Sequence, residues 1–174
     1  VTEGGHNVAL GSIAMFFTTT GQYNVAIGKR SLYYNTTGSC NIAVGGCALD
    51  ANTTGGLNTA VGWYSQRANT TGCGNSSLGS RTLSSTTTAM CNTAVGNSAM
   101  FAITTGGCNV AVGASALNAA TTSIRNTAIG YYASLSVTGS DNVSVGTMAM
   151  RGVASGSSAT KNVAIGYQSM CSIT

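Results

Sequence analysis

The 174-residue chain has no proline, one histidine and three acidic residues, and charged side chains make up only 6% of it. The three acids, Glu3, Asp50 and Asp141, fall in three different segments, and His6 stands near the start. No Ser-His-Asp set, carboxylate pair or phosphate-cradling loop can be assembled from these residues. The sequence therefore predicts a protein that is not an enzyme and carries no cofactor. His6 reads most simply as a solvated side chain. No C-x-x-C pair occurs, which argues against structural zinc. The apolar stretches, such as Ala14 to Phe17, are far too short to span a bilayer, so membrane insertion is not expected. No starting Met or signal segment is visible, and the expectation is a processed product or an excerpt of a longer protein. The net charge of +4 comes from seven basic residues, of which only Lys29 and Arg30 are neighbours. A nucleic-acid binder needs a basic stripe that follows a backbone, and this chain has none.

What the chain does have is a repeat. Asn, a variable residue, a small residue, an aliphatic residue and Gly recur with Asn at 7, 24, 41, 58, 75, 92, 109, 126, 142 and 162. The first eight are 17 residues apart, and the last two steps are 16 and 20. A fixed short period means one small unit stacked on copies of itself. We number the coils one to ten and count each Asn as position zero. Position +3 is always aliphatic, and position +2 is Ala except at Ser77 and Ser144. Position +4 is always Gly, from Gly11 to Gly166, which suggests positive φ or close backbone approach at a corner. The alternation from +1 to +3 predicts a short strand. A second apolar pair at +7 and +8, such as Ala48-Leu49 or Ala99-Met100, predicts a second strand that places one large side chain inward. Thr-Thr-Gly then closes the coil as a turn. These features predict an all-β fold: a parallel β-solenoid (β-roll) of about ten 17-residue coils, residues 1–174 forming one repeat domain. At a strand spacing of about 4.8 Å the rod is roughly 45–50 Å long.

Stacked columns give each recurring residue a candidate role. The ten asparagines Asn7, Asn24, Asn41, Asn58, Asn75, Asn92, Asn109, Asn126, Asn142 and Asn162 form a ladder whose amides bond from coil to coil. Asn35, Asn52 and Asn69 each begin Asn-Thr-Thr and are candidate N-glycosylation acceptors. The hydroxyls of Thr36, Thr37, Thr53, Thr54, Thr70 and Thr71 are the lighter, O-linked alternative, and a plain Asn-Thr-Thr-Gly turn is the bland one. Cys91 and Cys108 share a column of adjacent coils, within reach of a disulfide; the alternative is small filler in a tight stack. Tyr33, Tyr34, Trp63, Tyr64, Tyr131 and Tyr132 are candidates for stacking on carbohydrate. The Thr columns raise an ice-binding reading, weakened because the threonines are adjacent rather than alternating. An insertion within residues 151–158 of coil nine marks a candidate protrusion.

Asn58-Thr59-Ala60-Val61-Gly62 and Asn92-Thr93-Ala94-Val95-Gly96, with their Thr-Thr-Gly turns, resemble the 17-residue repeats of phage and virus tail-fibre-like proteins. Asn24-Val25-Ala26-Ile27-Gly28 and Asn162-Val163-Ala164-Ile165-Gly166 are similar to the head repeats of trimeric autotransporter adhesins, whose repeat is shorter. The second resemblance implies a left-handed β-roll with three chains side by side. The expected function is a rigid segment of an extracellular, cell-surface or virion-associated fibre that self-associates head to tail. An adhesin or glycan-bearing surface module is the alternative, with carbohydrate as partner.

Overall fold

A computed structural model describes residues 5–152 and 158–171. Ten three-residue strands each begin just after a repeat asparagine. They are β1 (Val8–Leu10), β2 (Val25–Ile27), β3 (Ile42–Val44), β4 (Thr59–Val61), β5 (Ser76–Leu78), β6 (Thr93–Val95), β7 (Val110–Val112), β8 (Thr127–Ile129), β9 (Val143–Val145) and β10 (Val163–Ile165). They form one parallel sheet in which each strand pairs with the next in the chain. The rest of each coil is the crossover that parallel pairing requires. Register follows the repeat, with Ala26 facing Ala43 and Ala43 facing Ala60. It also survives the short and long steps, since Ala128 faces Ser144 and Ser144 faces Ala164. The chain is thus an all-β parallel β-solenoid. Glu3 and most of the coil-nine insertion (153–157) lie outside the described residues.

The expected second strand is not there. From +4 to +10 each coil runs as a series of turns, and alternate residues adopt positive φ. In coil three these are Gly45 at 134°, Cys47 at 56° and Leu49 at 51°. The coil-to-coil hydrogen bonds persist without strand geometry: Leu32 N–H donates to Ala48 O (3.0 Å), and Cys47 N–H donates back to Lys29 O (2.9 Å). The inward placement of the +8 side chain does hold, since Leu32, Leu49, Leu83, Met100, Leu117 and Met150 are all fully buried. Positive φ is costly for a β-branched side chain. The +8 column accordingly contains Leu, Met, Gln and Ser and no Val, Ile or Thr.

The core is thin because the sheet contributes only its +2 side chains, Ala26, Ala43, Ala60, Ala94, Ala111 and Ala128, which meet the +7 and +8 side chains. Two polar plugs interrupt it. Gln66 occupies +8 of coil four and donates to Ser77 Oγ (2.8 Å) in β5, which also bonds Ser65 Oγ (2.6 Å). Ser134 occupies +8 of coil eight and donates to Ser144 Oγ (2.9 Å) in β9. The two departures from Ala at +2 are thus the partners of two buried polar groups, as a buried polar group requires.

At the +4 glycines positive φ and backbone approach together exclude a side chain. Gly96 has φ 127°, and a Cβ there would meet the Gly113 carbonyl of the next coil at 2.7 Å.

Candidate functional site

The Asn ladder is built from both ends of the amide. Asn41 N–H donates to Asn24 Oδ1 (2.9 Å), and Asn41 Nδ2 donates to Gly55 O (2.9 Å) at +14 of its own coil. The oxygen therefore ties one coil to the next, while the nitrogen closes the coil on itself. The same pair of bonds recurs at Asn58, Asn75, Asn92, Asn109, Asn126 and Asn142. Asp cannot replace Asn there, because the position needs a donor and an acceptor together in a buried site. These asparagines are structural and face no ligand space from Asn24 to Asn142.

A second, shorter ladder overturns the N-glycosylation expectation. Asn35, Asn52 and Asn69 at +11 are fully buried. Asn52 Nδ2 donates to Asn35 Oδ1 (2.7 Å) and to Gly55 O (2.9 Å), and Asn69 Nδ2 donates to Asn52 Oδ1 (2.9 Å) and Gly72 O (3.0 Å). A glycan cannot be carried on these nitrogens in the folded coil. The +12 hydroxyls of Thr36, Thr53 and Thr70 are also engaged, each donating to the +12 carbonyl of the following coil at 3.0 Å. That carbonyl also accepts three successive amides: Thr53 O receives Thr36, Thr37 and Gly38 N–H at 2.9–3.2 Å. Only the +13 members, Thr37, Thr54 and Thr71, are exposed. One hydroxyl per coil therefore faces water in this column, which disfavours ranked hydroxyls for ice.

Cys91 and Cys108 are unbonded thiols, so the candidate disulfide is not formed. The filler reading fails for these two as well, because both are exposed, as is Cys40. The residue before each ladder Asn has positive φ, 58° at Cys91 and 59° at Cys108, and its side chain lies on the outside.

Two surfaces remain. One is the outer face of the sheet, where +1 and +3 point away from the core. Ile42, Leu78, Val110, Val112 and Ile129 are exposed at mid-rod, and β1 and β10 expose Val8, Leu10, Val163 and Ile165. The other carries aromatics and cations at +5, +6, +9 and +10. Phe17 stacks on Tyr34 (5.5 Å between centroids), Trp63 stacks on Tyr64 (3.8 Å), and Tyr131 lies against Tyr132 (4.0 Å). Arg30 lies over Tyr33 (4.4 Å) and bonds Asp50 through Nε (3.1 Å) and Nη2 (3.2 Å). His6 is exposed and stacks on Tyr23 (4.9 Å). Asp141 takes two bonds from Arg125, at 2.6 and 3.0 Å, which hold its carboxyl below the ordinary carboxylate range. Both described acids are thus committed to arginines.

Among the described residues no group of three or more metal-ligating side chains comes together. Comparison with protein-family models, curated proteins and solved structures gave no match, so the geometry alone carries the functional reading.

Proposed function

We propose that this chain is a rigid segment of an extracellular or virion-associated fibre, built by continuing its own coil. The observation that carries the reading is the strand ladder. Among the described residues, β1 and β10 each have one paired edge and one open edge, in the same register as the interior strands. An open parallel edge is a template for another strand. Gly166 supports this, because a Cβ there meets nothing, whereas the interior +4 glycines sit against the next coil's backbone. A further coil, from the same chain or a second copy, fits there and prolongs the columns.

The exposed sheet face supports side-by-side packing of such rods. Aliphatic side chains run along its whole length, and a contiguous apolar strip of this kind marks an interaction surface. Three chains around this face is the arrangement that the adhesin-like repeat implies. Sedimentation velocity over a concentration series tests both contacts. The wild-type chain sediments as species larger than 17.3 kDa, and Ile42→Lys/Ile129→Lys removes the lateral species while leaving circular dichroism unchanged. A wild-type chain that stays monomeric across the series, with both surfaces free, overturns the proposal.

A further inference from the structure

A concavity lies on the side of coils two to four, clear of the sheet face and of both ends. It has a volume of about 540 Å3 and is lined by Lys29, Arg30, Asp50, Trp63, Tyr64 and Arg67. Its origin is a local change in residue size. Coils two and four carry large side chains at +5, +6 and +9, whereas coil three carries Gly46, Cys47 and Asp50. The floor is kept open by Gly46, where a Cβ would stand 3.2 Å from the Trp63 ring.

The lining is chemically specific. Trp63 is stacked ring on ring with Tyr64 (3.8 Å between centroids), and Trp63 is still about half exposed at 46%. Arg67 is seated over Tyr64 at 4.7 Å, and Arg81 backs Trp63 at 5.3 Å. Asp50 is buried and held by Arg30 in a two-bond pair, so one cation and the only acid neutralise each other. Lys29 and Arg67 are left without an ion-pair partner among the described residues, and both line this cavity. A half-exposed tryptophan ring, a fixed carboxylate and two cations outside any ion pair favour three things in a ligand. It needs an apolar C–H face for the rings, hydroxyl donors for Asp50, and an anionic group for Lys29 and Arg67.

We propose that this cavity binds a saccharide bearing an anionic substituent, one sugar ring stacked on Trp63 and its carboxylate or sulfate held by Lys29 and Arg67. A sugar ring supplies the C–H face and the hydroxyl donors on one rigid frame beside its anionic substituent. The site is repeated once per chain, so a fibre of these segments presents it at regular intervals, yet the binding does not depend on assembly.

Trp63 is the single tryptophan of the chain, so its fluorescence reports this cavity without a label. The probe is a glucuronate-containing tetrasaccharide, compared with its carboxyl-reduced neutral counterpart, a sulfated tetrasaccharide of the same length, and inorganic sulfate alone. Saturable change in Trp63 emission is expected with one or both anionic sugars, and which of them binds assigns the anion. The neutral counterpart should bind about tenfold more weakly or worse, as expected for loss of a charge-assisted contact. Lys29→Ala/Arg67→Ala should weaken the charged sugar to a similar extent without altering the thermal melt. The proposal is overturned by three results: equal binding of the neutral sugar, an equal response to inorganic sulfate, or no response to either anionic sugar. Undiminished binding by the double variant overturns it too. None of these outcomes bears on filament formation, which is read by sedimentation on the same material.

Discussion

Leu49 sits at φ 51°, buried in the core, and eight other +8 residues share its conformation within two degrees. Left-handed backbone tolerates an unbranched Cβ far better than a β-branched one. Leu49→Ile therefore keeps volume but destabilises by about 1–2 kcal/mol, whereas Leu49→Met costs less than about 1.5 kcal/mol; urea melts of the two variants measure the difference. Ranking Ile above Met in stability would show that the turn segment relaxes into strand geometry.

The +11 ladder poses a second residue-scale test. Asn69 Oδ1 and Thr86 Oγ1 are buried without partners, because Thr86 replaces the next Asn. Asn at +11 is tied to Gly at +14: a Cβ on Gly55 would lie 2.5 Å from Asn52 Oδ1, and coil five has Ala89 at that place. Thr86→Asn alone should destabilise, while Thr86→Asn/Ala89→Gly extends the ladder and recovers stability above the single variant, by about 1 kcal/mol or more. If the double variant melts no higher than the single one, the coupling between the columns is refuted.

At the scale of the element, the strands were fully legible and the rest of the coil was not. The +1 to +3 alternation marks β1 to β10 because one residue in two is buried and small. The +7/+8 pair looked like a second strand because it too places one large side chain inward. What separates them is the absence of Val, Ile and Thr at +8, against their abundance at +1 and +3. That contrast is a backbone signal, and a reading of hydrophobicity alone passes over it. The Asn-Thr-Thr motif misled for a different reason. A sequon is a three-residue pattern, whereas the burial of Asn35, Asn52 and Asn69 follows from stacking 17 residues away, as Asn52 on Asn35 shows. The cation–aromatic cavity was legible only as a set of candidate rings, since its shape depends on small residues in the coil between them.

The ion pair joining coils eight and nine gives a pH prediction at the same scale. Arg125 hydrogen bonds lower the Asp141 pKa in the folded state. A depressed carboxyl contributes stability above the unfolded carboxylate value, near pH 4, and that contribution disappears as the pH falls through the lower folded value. Asp141→Asn should lower the melt slightly at pH 7 and remove the same small amount from the decline below about pH 4, since an exposed pair contributes little in total. An unchanged acid limb would mean that other groups govern acid unfolding.

For the whole molecule, stability and association come from the same repetition. Each strand contacts only its neighbours in the chain, so no long-range contact fixes the length of the stack. The asparagine ladder and the glycine corner bond along the axis through all the described coils, and the threonine carbonyls do so from coil one to coil seven. The outward aliphatic face and the cation–aromatic cavity lie on different columns, which lets one rod pack sideways and still present the other surface to solvent.

Cryo-electron microscopy of the purified chain at high concentration tests this continuation most directly. Continued coils give rods longer than the roughly 45 Å of one chain, with an axial repeat near 4.8 Å running unbroken across chain boundaries. Separate single-chain rods at every concentration, with no end-to-end joining, would contradict it.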